Sequence, residues 1–346
     1  MPAAAIDVLV KGAGPVGCAA ALALQQAGKR VALVGSEASA SSFRPIVLSY
    51  ASRLILERVG TWSALAPTPI ETIRVSQAGR FGRTCFEAAD AGVPALGYVV
   101  GYAALLEALR AAARHLLAPE ELPARCVVHA EGAAPESEER RYSQDALVAM
   151  VRVAPAAGTE AHERFTREGP LALLPLDGRY ALVWSMPPEK ARSLVSAPES
   201  DFLEALGRAA GTRPGRPLGA AGRAVQPLAL RVRGARVGER SVYIGNAAQT
   251  LHPVAGQGLN LGLRDAWDLA RTMRDAPDPG DATTLARFAA LRRLDARAAI
   301  RVTDTLATIF LRPSPLLGAV MTALDVLPAP RRFFARRMIF GPSALP

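Results

Sequence analysis

The sequence of 346 residues contains only three cysteines, Cys18, Cys85 and Cys126, and no C-x-x-C pair. This spacing provides neither a disulfide framework nor a metal site, and it is typical of a reducing cytosolic compartment. No run approaches the roughly 18 consecutive apolar residues that a membrane-spanning helix requires. The first residues also lack the basic segment and apolar core of a signal peptide. We therefore predict a cytoplasmic protein, with any membrane contact peripheral and at the inner membrane.

Aromatic residues are scarce as well, at 5% of the chain, whereas half of all residues are hydrophobic. The core is therefore expected to be aliphatic, and the length suffices for one large domain or two interleaved ones. The net charge of +10 is spread along the chain, with no basic run interleaved with aromatics. This pattern argues against nucleic-acid binding. It suits attraction to an anionic membrane surface.

The N-terminal segment contains a dinucleotide-binding fingerprint. The apolar run Ile6–Val10 predicts a buried parallel strand, the Ala-rich segment Cys18–Gln26 a helix, and Arg30–Val34 a second strand. Between the first strand and the helix stands Gly-Ala-Gly-Pro-Val-Gly, in the G-x-G-x-x-G order. Strand, glycine loop, helix and strand are the context in which this motif binds a nucleotide pyrophosphate. The predicted cofactor-binding residues here are Gly12, Gly14 and Gly17.

Two positions near this fingerprint depart from its usual form. The acid that holds the ribose is expected about 20 residues on, where this chain has Gly35. Ribose recognition therefore falls to Ser36 or Glu37. Lys11 precedes the first glycine, and its charge either meets a phosphate or points to solvent.

A second glycine-containing stretch runs from Gly245 to Asp265. It follows the apolar run Ser241–Ile244, and residues 263–270 continue with helical spacing, so Gly256 and Gly258 lie on a loop that opens a helix. Backbone N–H groups at a helix start suit a phosphate or an electron-rich ring. Small residues there allow a flat ligand to approach the backbone closely.

The order of residues in this stretch resembles the UbiH/UbiF/VisC family of FAD-dependent aromatic hydroxylases of ubiquinone biosynthesis. The resemblance extends from Val8 to about Pro342 and includes the segments Glu163–Thr166 and Gly169–Leu176. It implies an α/β fold, in which a Rossmann-like FAD-binding domain of the p-hydroxybenzoate hydroxylase type is interleaved with a β-sheet substrate domain. The implied FAD-binding domain comprises residues 1–69, 97–135 and 225–275. The substrate domain comprises residues 70–96 and 136–224, and C-terminal helices occupy residues 276–346.

The resemblance also implies where the FAD lies. Gly245 and Asn246 would lie under its ribityl and pyrophosphate part. Asn246 stands where the wider superfamily has Asp, and its amide still offers an acceptor. The isoalloxazine ring would lie beside the next residues of the stretch, which include His252, Pro253, Gly256, Gly258, Leu259 and Asn260.

Three further residues receive roles from the same resemblance. Arg44 would contact the flavin, although a surface arginine is the plain alternative. His252 is the titratable residue beside the expected ring, with either a proton-transfer or a structural role. Arg44 and His252 are thus the candidate catalytic residues. Glu131 replaces Asp in the second fingerprint, Ala-Asp-Gly, which is linked to contacts with FAD and NADPH.

The implied reaction uses NAD(P)H as a transient co-substrate, O2 and a prenylated phenol as the small-molecule substrate. Relatives have several strands between the helix that ends near Leu117 and Cys126, and this chain has almost none of them. That deletion leaves open a second function, a non-catalytic partner in a quinone-biosynthesis complex. The C-terminal segment Arg331–Met338 mixes arginines with Phe333 and Phe334, which fits membrane docking and a fold-closing helix equally well.

Overall fold

The computed structural model describes residues 6–35, 44–132, 138–250, 257–293 and 315–340. The strands are β1 Ile6–Lys11, β2 Val31–Val34, β3 Pro45–Ser49, β4 Thr68–Ile70, β5 Thr72–Gln77, β6 Arg83–Glu87, β7 Gly97–Gly101, β8 Ala124–His129, β9 Glu138–Ala154, β10 Glu160–Phe165, β11 Pro170–Leu176, β12 Arg179–Met186, β13 Arg216–Val232, β14 Val237–Gly238, β15 Ser241–Tyr243 and β16 Gln249–Thr250. The helices are α1 Pro15–Gln26, α2 Tyr50–Arg58, α3 Ala88–Ala91, α4 Tyr102–Ala113, α5 Pro188–Ser196, α6 Glu199–Ala210, α7 Gln257–Met273, α8 over residues 282–293, α9 Pro315–Val326 and α10 Pro328–Phe340.

A five-stranded sheet in the order β14-β15-β8-β1-β2 forms the first layer. The central strand β1 pairs in parallel with β2 and β8, which confirms the predicted strand–helix–strand unit. Helix α1 has Pro15 in its first turn and a run of small residues, Cys18 to Ala23, that are buried in the core. Their small volume lets α1 approach both the sheet and α7. The chain then turns at Gly28, which has a φ of +82°.

An eight-stranded sheet in the order β16-β13-β9-β12-β11-β10-β5-β6 forms the second layer. All of its neighbouring strands run antiparallel except β10 and β5. Side chains alternate between its two faces. Tyr180, Leu182 and Trp184 of β12 pack with α5 and α6, and the intervening residues face the opposite way. The helices α5 and α6 are separated by a break at Ala197 and Pro198.

The chain between α4 and β8 has no strand, as expected from the deletion. Leu117 forms a single parallel bridge to Leu33 of β2, and the Ala118 N–H donates to the Leu33 carbonyl at 2.9 Å. Seven residues later the chain enters β8. The edge of the five-stranded sheet next to β2 is therefore covered by a short loop.

The C-terminal helices close the fold on one side. Helix α10 packs against α2, α3 and α9, and Phe334 stacks on Phe86 of β6 with ring centroids 5.6 Å apart. Ala335 and Ile339 are buried in the same cluster. Within the described residues, no helix has the length and apolar character needed to cross a bilayer. The predicted division into domains stays a prediction. Strand β13, Arg216–Val232, crosses its predicted boundary between residues 224 and 225.

Candidate active site

A cavity of about 1710 Å3 lies between the five-stranded and the eight-stranded sheet. One end is formed by the glycine loop after β1 and the starts of β3 and α7. The other end is formed by a face of the eight-stranded sheet and by α9 and α10. Ligands of open parallel sheets bind at the carboxyl ends of the strands, where the order of connection reverses. Because β1 lies between β2 and β8, the glycine loop occupies this point.

The three glycines of the N-terminal fingerprint have different tasks. A Cβ on Gly12 would lie 2.6 Å from the Ala130 carbonyl carbon, and one on Gly17 would lie 1.8 Å from the Gly12 oxygen. These two positions are therefore required for packing. A Cβ on Gly14 would meet nothing within 4 Å, and Gly14 lines the cavity at the start of α1. The space at Gly14 is therefore open to a ligand, and its contact with the cofactor stays a prediction.

A steric clash explains why position 35 has glycine instead of the acidic residue that usually holds the ribose. A Cβ on Gly35 would lie 2.4 Å from the Ala13 nitrogen, so no acidic side chain fits at this position. The predicted substitutes Ser36 and Glu37 lie outside the described residues. The Nζ of Lys11 lies 2.6 Å from Glu121 Oε2, on the loop that stands in place of the deleted strands. Its contact with a phosphate stays a prediction.

The turn at Gly245 is held by a buried ionic cluster that sequence reasoning missed. Gly245 has a φ of +58°, and its N–H donates to Asp265 Oδ2 at 3.1 Å. Arg292 donates to Asp265 Oδ1 at 2.7 Å and to Asp268 Oδ2 at 2.9 Å. Burial disfavours the charge, yet Arg292 and Arg236 keep the pKa of Asp265 below its ordinary value. The partner arginine lies 27 residues away in sequence, so no local pattern reveals the pair.

Asn246 and Asn260 are placed differently. Asn246 is exposed and lines the cavity, and no hydrogen bond to its side chain occurs among the described residues. The buried Asn260 amide bonds to protein, since its Oδ1 accepts from the Ser49 N–H at 2.8 Å and the Ser52 hydroxyl at 2.7 Å. Its Nδ2 donates to the Val47 carbonyl at 2.9 Å, which joins α7 to β3. Cofactor contacts of both residues stay predictions.

Helix α7 begins at the cavity. Gly258 lines the cavity in its first turn, and a Cβ there would meet nothing within 4 Å. The neighbouring Leu259 packs against the core of the five-stranded sheet and also lines the cavity. His252, Pro253 and Gly256 lie outside the described residues, so their roles stay predictions.

Charged side chains surround the same end of the cavity. Arg44 lies over the Tyr102 ring, 5.5 Å from its centroid, and lines the cavity. Arg110 of α4, which the sequence gave no reason to single out, donates from Nε to the Ala13 carbonyl at 2.9 Å and so supports the glycine loop. Glu131 also lines the cavity, and its Oε2 lies 3.1 Å from Nδ1 of His129.

These residues fit an elongated flat ligand with a pyrophosphate. The starts of α1 and α7 both reach the cavity, and in each of them a glycine leaves open space there. Helix starts present unpaired N–H groups and partial positive charge, which bind phosphate oxygens. The far end of the cavity is apolar, with Val75, Ala172, Val183 and Met321 among its walls.

Comparison with known proteins identifies this ligand. FAD binding domain families match the chain over residues 7–50 and 124–303. The ubiquinone hydroxylase UbiL of Rhodospirillum rubrum is 32% identical over 352 residues, which cover 88% of this chain and 81% of UbiL. The 3-demethoxyubiquinol 3-hydroxylase of Escherichia coli is 28% identical, with 84% and 85% covered. The solved structure of P. aeruginosa PqsL with 2-aminobenzoylacetate has the same fold, with a TM-score of 0.75, 22% identity, and 89% of this chain and 97% of PqsL covered.

The fold and the site thus define an FAD-dependent flavoprotein monooxygenase. The chain belongs to the UbiH/UbiF/VisC family of FAD-dependent aromatic hydroxylases. Both relatives carry hydroxylase names, and nothing in the comparisons favours the non-catalytic alternative. The 352-residue alignment includes 88% of a chain of 346 residues, so UbiL has residues with no counterpart here.

Proposed function

We propose that this protein hydroxylates the aromatic ring of a prenylated phenol with NAD(P)H and O2 in ubiquinone biosynthesis. The observation that carries the proposal is the single cavity, which joins the open glycine positions Gly14 and Gly258 to an apolar face of the larger sheet. The glycine end suits the cofactor, and the apolar end suits a hydrophobic aromatic substrate. The names of the two hydroxylase relatives support the substrate class.

Bound FAD would supply the electron transfer and oxygen activation that the reaction needs. The chain's own residues bind and orient the reactants. Backbone N–H groups near Gly14 and Gly258 would hold the cofactor, and Arg110 keeps the glycine loop in place. The apolar side chains of β5, β11, α9 and α10 that line the cavity would exclude water from the ring that reacts.

The direct test combines spectroscopy with turnover. The purified protein is expected to show the visible absorbance of bound flavin. It should consume NAD(P)H faster when a short-chain prenylated phenol is added, and the product should gain one oxygen atom by mass spectrometry. If the protein holds FAD but forms no oxygenated product from any prenylated phenol tested, the proposed function is wrong.

We further propose that the outer face of α9 and α10 contacts an anionic membrane surface. Leu316 and Phe333 are 74% and 71% exposed, and Leu327 is 50% exposed. Arg332, Arg336 and Arg337 are exposed beside Phe333 on α10. Apolar side chains with adjacent basic residues suit the boundary between lipid head groups and acyl chains. The opposite face of α9 lines the cavity, so a lipid-soluble substrate would have a short path from the membrane.

We leave three C-terminal residues out of this proposed surface because they have contacts within the protein. Arg331 is not available, because its Nε lies 3.0 Å from Asp90 Oδ2 and its side chain is 23% exposed. Phe334 stacks on Phe86, and Met338 lines the cavity. These three residues serve the fold. Membership in a quinone-biosynthesis complex stays a prediction.

A further inference from the structure

Glu163 of β10 stands in an otherwise uncharged row of side chains that lines the cavity. The strand register places it in a row across the larger sheet, opposite Val75 of β5 on one side and Ala172 of β11 on the other. The row continues on both sides with Thr84, Val183 and Val148. All of these residues line the cavity. Glu163 is the ionisable residue of the row.

The charged neighbours of Glu163 are engaged elsewhere. Its neighbours on β10 have other partners: His162, which also lines the cavity, contacts the Tyr180 hydroxyl at 3.1 Å, and Arg164 contacts Ser76 Oγ at 3.4 Å. Two charged residues on adjoining elements are paired with protein groups: Arg74 of β5 with Glu160 at 2.6 Å, and Asp325 of α9 with the Cys85 N–H at 2.9 Å. Arg83 of β6 and Arg332, Arg336 and Arg337 of α10 are exposed and do not line the cavity.

The carboxyl group of Glu163 has no partner of its own in the described chain. No hydrogen bond or ion pair to it occurs there, although the residue is only partly exposed and opens on the cavity. Burial raises the pKa of Glu163 to about 7, with no charged neighbour contributing. An unpartnered carboxyl in an apolar wall lowers stability. Such groups are kept where a ligand or a reaction uses them.

We infer that Glu163 binds the hydroxyl group of the aromatic substrate and accepts its proton. This assignment rests on the proposed hydroxylase function and adds a residue to it. The O–H bond of the phenol breaks, the proton passes to a Glu163 carboxylate oxygen, and the electron pair stays on the phenol oxygen. The resulting phenolate delocalises its charge into the ring, whose ortho and para carbons then react more readily with an electrophilic oxygen atom. A base with a pKa near the working pH suits this transfer.

The inference also predicts substrate selection. A phenol donates a hydrogen bond to the Glu163 carboxylate, whereas its methyl ether has no donor and leaves the carboxylate unpaired. Sites built to bond a hydroxyl discriminate strongly against analogues that lack it. The protein should therefore select substrates with a free phenolic hydroxyl.

The test compares the FAD-loaded wild type with Glu163→Gln, Glu163→Asp and the control Glu160→Gln, which lies on the same strand outside the cavity wall. A 2-alkylphenol and its methyl ether serve as probes. For the wild type and the control, kcat/KM for the phenol should rise with pH around a midpoint near 7. Glu163→Gln should lose this rise and about 100-fold or more of the rate, and Glu163→Asp should keep the rise at a lower rate.

Binding without NAD(P)H gives a readout that is independent of turnover. Perturbation of the flavin spectrum should report tighter binding of the phenol than of the ether by at least about tenfold in the wild type. In Glu163→Gln this preference should shrink severalfold, with FAD content unchanged. If Glu163→Gln keeps both the pH profile and the preference of the wild type, Glu163 has no such role. If the wild type forms no hydroxylated product, the proposed function fails instead, and the binding preference still tests Glu163.

Discussion

At the scale of single residues, the glycines at the cofactor end of the cavity form two groups, according to whether an added side chain would clash with the protein or enter the cavity. Gly12, Gly17 and Gly35 lie against backbone, so a larger residue at these positions would disturb the fold itself. Gly14 and Gly258 face the open cavity. Only the second group can be changed to test ligand binding without a direct clash in the protein.

Gly14→Val is expected to abolish FAD binding while the protein still folds, because the new side chain fills the space at the start of α1. The measurement is flavin absorbance after purification and after incubation with added FAD. Gly158→Val is the matched control, since Gly158 is an exposed loop residue whose Cβ position is also open and lies outside the cavity. Wild-type flavin content in Gly14→Val would show that the pyrophosphate is not bound here.

The burial of Glu163 also predicts how the stability of the protein depends on pH. Its pKa is raised from 4.5 to about 7 by burial, so the folded protein holds this proton more tightly than the unfolded chain does. Wild-type stability should therefore fall as the pH rises from 4.5 to about 7. Glu163→Gln removes this loss and should be more stable above neutral pH, by at most roughly 3 kcal/mol, with the advantage disappearing near pH 4.5. Urea unfolding of both proteins at several pH values measures it, and equal stability throughout would contradict the environment described for Glu163.

At the scale of structural elements, the loop from Leu117 to Pro123 stands where the family resemblance implies several strands, which we expect to support the adenosine half of FAD in longer relatives. This loop adds one bridge to β2 and the ion pair between Lys11 and Glu121. We expect weaker FAD binding than in a longer relative such as R. rubrum UbiL. Extended dialysis in high salt should strip the flavin from this protein first, as followed by absorbance. Equal retention in the two proteins would mean that other residues of this chain make up for the missing strands.

Helix α10 makes a separate prediction about membranes. Replacing Arg332, Arg336 and Arg337 together by Gln should weaken co-sedimentation with anionic liposomes at low salt, since each basic residue contributes on the order of 1 kcal/mol. FAD content should not change. A control variant replaces the exposed arginines Arg179, Arg213 and Arg216, which lie outside α9 and α10. Equal liposome binding by both variants and the wild type would assign α10 to a purely structural role.

At the scale of the whole molecule, the sequence predicted local motifs better than the contacts between segments that are distant in the chain. The fingerprint near Gly14 and the loss of strands after Leu117 depend on local residue order, and both could be predicted. The contacts of Arg292 with Asp265 and of Asn260 with Ser49 join segments far apart in the chain, so no periodicity reveals them. Glu163 was visible in the sequence only as part of a family resemblance. Its significance depends on the strand register that surrounds it with apolar residues.

The five-stranded sheet, one face of the eight-stranded sheet and helices α9 and α10 all border the same cavity. The central claim is that a ring bound against the larger sheet receives an oxygen atom activated at the FAD end. The most direct measurement is turnover under isotopically labelled dioxygen with NAD(P)H and a short-chain prenylated phenol, followed by mass spectrometry of the product. We predict that the new hydroxyl group carries the label. Consumption of NAD(P)H and dioxygen that yields hydrogen peroxide and unlabelled, unchanged phenol would contradict the account.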